Sequence, residues 1–182
     1  MGNKILKSCR ICFSDKLVNY LDLGKHPFSN SFLNFKDIKK ERKFPLKLVL
    51  CKKCGLTQLS IIPDTQFIFN KYDYLSSSSK ALSNHYKNLV FKLIKNYKFK
   101  FDDTALDIGC NDGILLNHYP KNFKNIIGIE PSDAAKNIKQ KKIKLLKKFF
   151  NLNTSKHYLK KYNKPKIITI TNVLAQIENL DE

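Results

Sequence analysis

Four of the five cysteines stand in two identical pairs, Cys9-x-x-Cys12 and Cys51-x-x-Cys54. Each pair sets two thiols on one tight turn, and Gly55 follows the second pair as in zinc knuckles. Two such turns brought together predict tetrahedral ligation of zinc by four cysteines. Because no apolar leader of the secretory type opens the chain, disulfides are disfavoured and metal binding is the better use of the thiols. The 38 residues between the pairs exceed a finger loop and must fold as a small insert. Four protein ligands leave no open coordination position, so the zinc is structural. A redox C-x-x-C is the rival reading, and two pairs on one segment argue against it. His26 and His85 could compete as ligands, although ordinary polar histidines account for both.

The second chemical stretch is Leu106-Asp-Ile-Gly-Cys-Asn-Asp-Gly113. Gly109 and Gly113 let the chain turn sharply after a strand and bring backbone close to a ligand. Ligands of open α/β sheets bind beyond the carboxyl ends of the strands, near such a turn. A dinucleotide loop would read G-x-G-x-x-G and cradle pyrophosphate. Here the spacing is G-x-x-x-G with Asp107 and Asp112 in it, and an acidic loop repels pyrophosphate. It suits a ligand with an ammonium and a sulfonium, which describes S-adenosylmethionine. Glu130, 17 residues after Gly113, ends the next apolar run and is placed to accept the ribose hydroxyls. The loop backbone over 109–113 is then expected to hold the methionine part. Cys110 has acidic neighbours, which raise a thiol pKa, so it reads as a small loop residue rather than a nucleophile. The plain alternative is that any strand–glycine–helix turn looks like this.

The elements around these residues form three segments. Residues 1–62 hold the cysteine pairs among short strand-like runs and are read as a zinc-binding module. Residues 63–101 read as linker and helix. Ser76–Ser79 suggests flexibility, but Phe67, Phe69, Tyr72 and Tyr74 crowd before it, so packing is expected. Leu82, Leu89, Val90, Leu93, Ile94 and Tyr97 form a helical stripe over 80–97. Residues 102–182 alternate strand and helix. Strands are predicted at 104–108, 125–130, 143–150 and 166–173. Helices are predicted from Asp112 to His118, after Pro131 (with Ser132 or Asp133 as N-cap) and through about Lys161. Continuous apolar strands alternating with helices imply an α/β fold with a parallel sheet covered on both faces.

The net charge is +19, and arginine occurs only at Arg10 and Arg42. Lysine lacks the fork that reads phosphate and guanine bidentately, so a solvated lysine surface is the simpler reading and no nucleic acid is expected. No apolar run approaches the roughly 20 residues of a membrane span. The expected location is cytoplasmic.

Taken together, the chain resembles the sugar C-methyltransferases that act on nucleotide-linked keto-deoxyhexoses. The resemblance rests on C-R-I-C at 9–12, L-D-L-G-K-H-P-F-S-N at 21–30 and F-P-L-K-L-V-L-C-K-K-C-G-L-T-Q-L at 44–59. It continues with Y-D-Y-L-S-S-S-S at 72–79 with His85, L-D-I-G-C-N-D-G at 106–113, G-I-E-P-S at 128–132 and N-V-L-A-Q-I at 172–177. It implies a zinc module followed by a Rossmann-like S-adenosylmethionine domain and a further C-terminal domain. It also implies a nucleotide-sugar acceptor that is deprotonated alpha to its ketone and attacks the sulfonium methyl. The cofactor set carried over is Asp107, Gly109, Cys110, Asn111, Asp112, Gly113, Glu130, Pro131 and Asn172. Tyr72, Tyr74 and Gln176 are expected in the catalytic cleft; the tyrosines read alternatively as core. Two departures stand out. The family resembled carries histidine where this chain has Gln176, and an amide takes no proton near neutrality. The sequence also ends at Glu182, just past the fourth predicted strand, and leaves that apolar strand as an edge. A truncated reading frame or a partner chain is therefore expected. The rival functions are methylation of another small molecule, a cofactor-binding fragment without catalysis, and a nucleic-acid-binding zinc protein.

Overall fold

The computed structural model describes residues 4–69 and 72–180. They divide between residues 71 and 72 into two compact units. The segment expected as linker and helix, 63–101, is thus split: 63–69 belong with the first unit and 72–101, with the helix, with the second.

The first unit is built on β2 (Leu17–His26) and β3 (Phe44–Cys51), an antiparallel pair with Leu17 opposite Cys51 and His26 opposite Phe44. Strand β4 (Thr57–Leu59) pairs with the other side of β3. A short ladder joins β1 (Lys4–Ile5) to β5 (Ile61–Ile62). Strand β3 therefore runs into the second cysteine turn while β1 leads to the first. Helix α1 (Thr65–Phe69) closes the unit. Phe28 stacks on Phe44 with centroids 4.0 Å apart, and Arg42 lies 4.4 Å over the Phe67 ring. The aromatic density before Ser76 thus has a packing role at Phe67.

The second unit opens with a 3-10 turn, Ser76–Ser78, and helix α2 (Lys80–Asn96). Ser79 caps α2 by accepting from the Leu82 N–H, which satisfies one of the donors a helix start leaves open. The serine run is a helix entry, not a flexible linker. Leu82, Leu89, Val90, Leu93 and Ile94 pack on the core as the stripe predicts, but Tyr97 lies past the helix end and is exposed.

Four parallel strands follow in the order β8-β7-β6-β9. They are β6 (Thr104–Ile108), β7 (Asn125–Ile129), β8 (Ile143–Leu146) and β9 (Ile167–Thr169). Alternate residues face opposite sides. Ala105, Ile126, Ile143 and Ile167 pack with α2, whereas Leu106, Ile108, Ile127, Ile129 and Leu146 pack with Tyr158 of α3 (Leu152–Lys161). The sheet is α/β and covered on both faces, as expected.

Element lengths are the main correction. The segment predicted as a helix over 112–118 forms turns ending in one 3-10 turn, Leu116–His118, because Asn111 and Gly113 hold positive φ at its start. The helix after Pro131 is also 3-10, Asp133–Asn137, capped by Ser132. Strand β8 stops at Leu146, where the Lys148 N–H turns back to the Leu146 carbonyl. Strand β9 pairs only through Thr169, and on this edge Ile168 is exposed. No helix among the described residues is long and apolar enough to cross a membrane.

Candidate functional site

The sulfurs of Cys9, Cys12, Cys51 and Cys54 all lie within 4.8 Å of one another. Cys9 Sγ is 3.6 Å from Cys54 Sγ, and Cys12 Sγ is 3.5 Å from Cys51 Sγ. Both turns have the same backbone device. The Phe13 N–H returns to the Cys9 carbonyl with Phe13 at φ 57°, and the Gly55 N–H returns to the Cys51 carbonyl with Gly55 at φ 78°. The Cys54 backbone N–H pulls the Cys51 thiol down to about 6. Cys54 moves the other way. Against a favourable Leu56 N–H, the crowding sulfurs, Cys12 first, push it up to about 12. Four thiols this close cannot all ionise unless a cation sits among them, and thiolate is the metal-binding form. The donor set fits structural zinc. His26 is not a competing ligand, since its Nε2 contacts the Leu23 carbonyl oxygen at 2.7 Å.

Sequence reasoning passed over Gln58 here. Its buried Oε1 accepts from the Arg10 N–H at 3.1 Å, and its Nε2 reaches the Ser8 carbonyl. It braces the first cysteine turn from β4. Only the position of β4 beside β3 makes this contact, so local spacing carries no signal of it.

The glycine loop follows β6. Gly109 has φ +71°, Asn111 φ 51° and Gly113 φ +76°. The Gly109 and Cys110 N–H groups both point to the Ile129 carbonyl, which ties the loop to the end of β7. The space that a Gly109 Cβ would need is filled by Val173, whose Cγ2 would lie 2.2 Å from it. Glycine at 109 therefore admits Val173, beyond β9, as well as the sharp turn. Cys110 turns its side chain inward: it is 2 % exposed, and a Cβ at Gly128 would meet its Sγ. Burial first, then Asp107 and Glu130, push this thiol well above the ordinary cysteine range. Its side chain is withdrawn from the ligand side of the loop, and its backbone is engaged as well: the N–H points to the Ile129 carbonyl and the carbonyl accepts from the Gly113 N–H.

Three buried carboxylates frame the loop. Asp107 accepts from Thr169 Oγ1 at 2.6 Å, and burial pushes it up to about 7, with the Glu130 charge adding to the shift and the Thr169 bond opposing it. Glu130 Oε2 accepts from the Asn111 N–H at 2.8 Å and Oε1 from the Ser132 N–H at 2.9 Å. The acid expected at the ribose thus also folds the loop, and any hydroxyl must use its remaining lone pairs. Asp112 Oδ2 accepts from the Ser77 N–H, whereas its Oδ1 is buried with no partner. Burying a carboxylate oxygen without a partner is costly, and a cationic ligand would offset that. The residues fit a cofactor with an ammonium and a sulfonium.

The remaining expected residues divide. Tyr72 and Tyr74 rings lie edge to face at 6.2 Å, and the Tyr74 carbonyl accepts from Asn111 Nδ2, so this segment reaches the loop. Asn172 takes φ 56°, and its carbonyl accepts from Gln176 Nε2 at 2.8 Å. Gln176 is exposed and closes a local turn that carries Val173 onto Gly109. Pro131 is half-buried between Glu130 and Ser132.

Two family models match the chain, one in each unit. Residues 9–69 match the family model of a zinc binding domain and residues 75–182 that of a methyltransferase domain. Over 128 residues the sequence is 24% identical to the C-methyltransferase NovU of Streptomyces niveus. That alignment covers 70% of this chain and 30% of that relative, so the chain spans under a third of the curated relative it matches.

Proposed function

The chain belongs to the methyltransferase-domain family, whose model covers more than half of it, and from that premise we propose that it forms the cofactor-holding part of a C-methyltransferase acting on a nucleotide-linked keto-deoxysugar. S-adenosylmethionine is the methyl donor of such domains, and zinc is the structural metal of the first unit. The single observation that carries the cofactor reading is the buried, unpartnered Oδ1 of Asp112, on a loop that Asp107 and Glu130 flank. Transfer to carbon rests on similarity to the C-methyltransferase NovU, and the acceptor class on the motifs at 21–30, 72–79 and 172–177.

Bound S-adenosylmethionine supplies an electrophilic methyl group on a sulfonium. The chain's own residues bind and orient. The buried, unpartnered oxygen of Asp112 would be compensated by a cation, and Glu130, which holds the loop with two backbone N–H bonds, would offer its remaining lone pairs to the ribose hydroxyls. Such fixed dipoles and charges stabilise a positioned ligand without reorganisation. Tyr72 and Tyr74 are assigned to the acceptor side. Gln176 is not assigned the proton abstraction, because an amide takes no proton near neutrality and its Nε2 is engaged by Asn172. That engagement favours a second reading, in which the chain holds the cofactor without turnover of its own.

Calorimetry on zinc-loaded protein tests the proposal. Saturable 1:1 binding of S-adenosylmethionine is expected, weakened about tenfold or more in Glu130→Gln, where one oxygen becomes a donor facing an N–H. An absence of saturable heat overturns the cofactor reading. Mass-spectrometric detection of methylated nucleotide keto-sugar decides the acceptor class, and methylation of an unrelated small molecule instead would redirect it.

A further inference from the structure

The side chains of the glycine loop are committed to another part of the chain. Asn111 Oδ1 accepts from the Ser76 N–H at 2.9 Å, and Asn111 Nδ2 donates to the Tyr74 carbonyl at 3.0 Å. Asp112 Oδ2 accepts from the Ser77 N–H at 3.0 Å. Three bonds therefore clamp residues 74–77 to residues 111–112, across 35 residues or more of sequence. Asn111 can do this because it sits at φ 51°, a conformation that asparagine tolerates better than most residues. Its own N–H is held by Glu130 Oε2. Tyr74, whose carbonyl is in the clamp, contacts Tyr72 edge to face.

We propose that Asn111 and Asp112 are positioning residues. They fasten the strap that carries Tyr72 and Tyr74 to the cofactor loop, so that cofactor binding and strap docking are one linked equilibrium. For its ligand the proposal rests on the S-adenosylmethionine reading above. Asp112 is the shared element, with one oxygen on the strap and the other buried and unpartnered beneath the loop, where a cationic ligand would offset its charge. A ligand that fixes this carboxylate fixes the strap as well, and by reciprocity a docked strap favours the ligand.

Amide exchange of Ser76 and Ser77, read by NMR on the zinc-loaded full chain, tests this. In the wild type both amides exchange slowly, and S-adenosylmethionine slows them further. Asn111→Gly keeps the left-handed backbone while removing two of the three clamp bonds, and speeds Ser76 exchange about tenfold, as expected for one net hydrogen bond. Asp112→Ala does the same at Ser77 and weakens S-adenosylmethionine. Asp112→Asn separates the two roles: an acceptor remains, so Ser77 stays protected, while the lost charge still weakens the cofactor. Unchanged exchange in Asn111→Gly and Asp112→Ala, in variants that retain zinc and native circular dichroism, overturns the proposal. So does wild-type exchange that saturating cofactor leaves untouched. Absence of cofactor binding alongside variant-sensitive exchange upholds the clamp and counts against the cofactor reading alone.

Discussion

Thr169 Oγ1 donates to Asp107 Oδ1 at 2.6 Å, joining the neighbouring strands β9 and β6 at the buried floor of the glycine loop. Burial pushes Asp107 up to about 7 even with this bond in place. The folded chain therefore keeps a proton on Asp107 that the unfolded chain releases near the ordinary aspartate value. Between about pH 4 and 7 the folded state binds more protons, so this group's contribution to stability falls as pH rises and levels off above 7. Chemical denaturation across that range should show the decline in the wild type and its loss in Asp107→Asn, with the zinc contribution common to both. Thr169→Val removes the donor and should cost about 1–3 kcal/mol.

The same titration predicts the pH dependence of binding. A cationic ligand favours ionised Asp107, so S-adenosylmethionine affinity should rise with pH up to about 7 and then flatten. Calorimetry at stepped pH should give a flat, weaker profile for Asp107→Asn.

Gly109 and Val173 make a steric pair. Alanine at 109 would put its Cβ 2.2 Å from Val173 Cγ2 on a backbone with φ +71°. Left-handed backbone and overpacking together should destabilise Gly109→Ala by about 2–4 kcal/mol. Adding Val173→Ala should recover the overpacking part and leave the backbone part, as a double-mutant cycle in thermal denaturation would show.

The four knuckle cysteines should bind one zinc per chain. Chelation, or Cys12→Ser, should unfold the first unit, since apparent binding energies of structural zinc are about 10–16 kcal/mol. Metal analysis and near-ultraviolet circular dichroism would report this. Cys110→Ser should keep its zinc, because Cys110 is buried in the core of the other unit.

Gln58 braces the first cysteine turn through the Arg10 N–H and the Ser8 carbonyl. Gln58→Leu should leave those groups unpaired and lower zinc affinity about 10- to 100-fold, the usual cost of losing an outer-shell partner. Competition with a chromophoric chelator measures it.

Sequence alone determined what short-range spacing encodes. The paired C-x-x-C turns need only a few adjacent residues to place two thiols each, and the four sulfurs do converge. Continuous apolar runs announced a parallel sheet, because only strands covered on both faces can be apolar throughout. The acids of the loop were legible from their types and distances along the chain. Tertiary structure decided their partners. Thr169 meets Asp107 through the register of β9 on β6, and Gln58 meets Arg10 through the placing of β4. Ser76 and Ser77 engage Asn111 and Asp112 through backbone N–H groups that every non-proline residue owns, so no residue type marks them in the sequence. Element lengths were also decided there. Positive φ at Asn111 and Gly113 and short returns to the sheet turned two expected helices into single 3-10 turns. Local pattern states which chemistry a segment can offer; register and chain crossing state which groups meet, since those contacts join residues that local pattern keeps far apart.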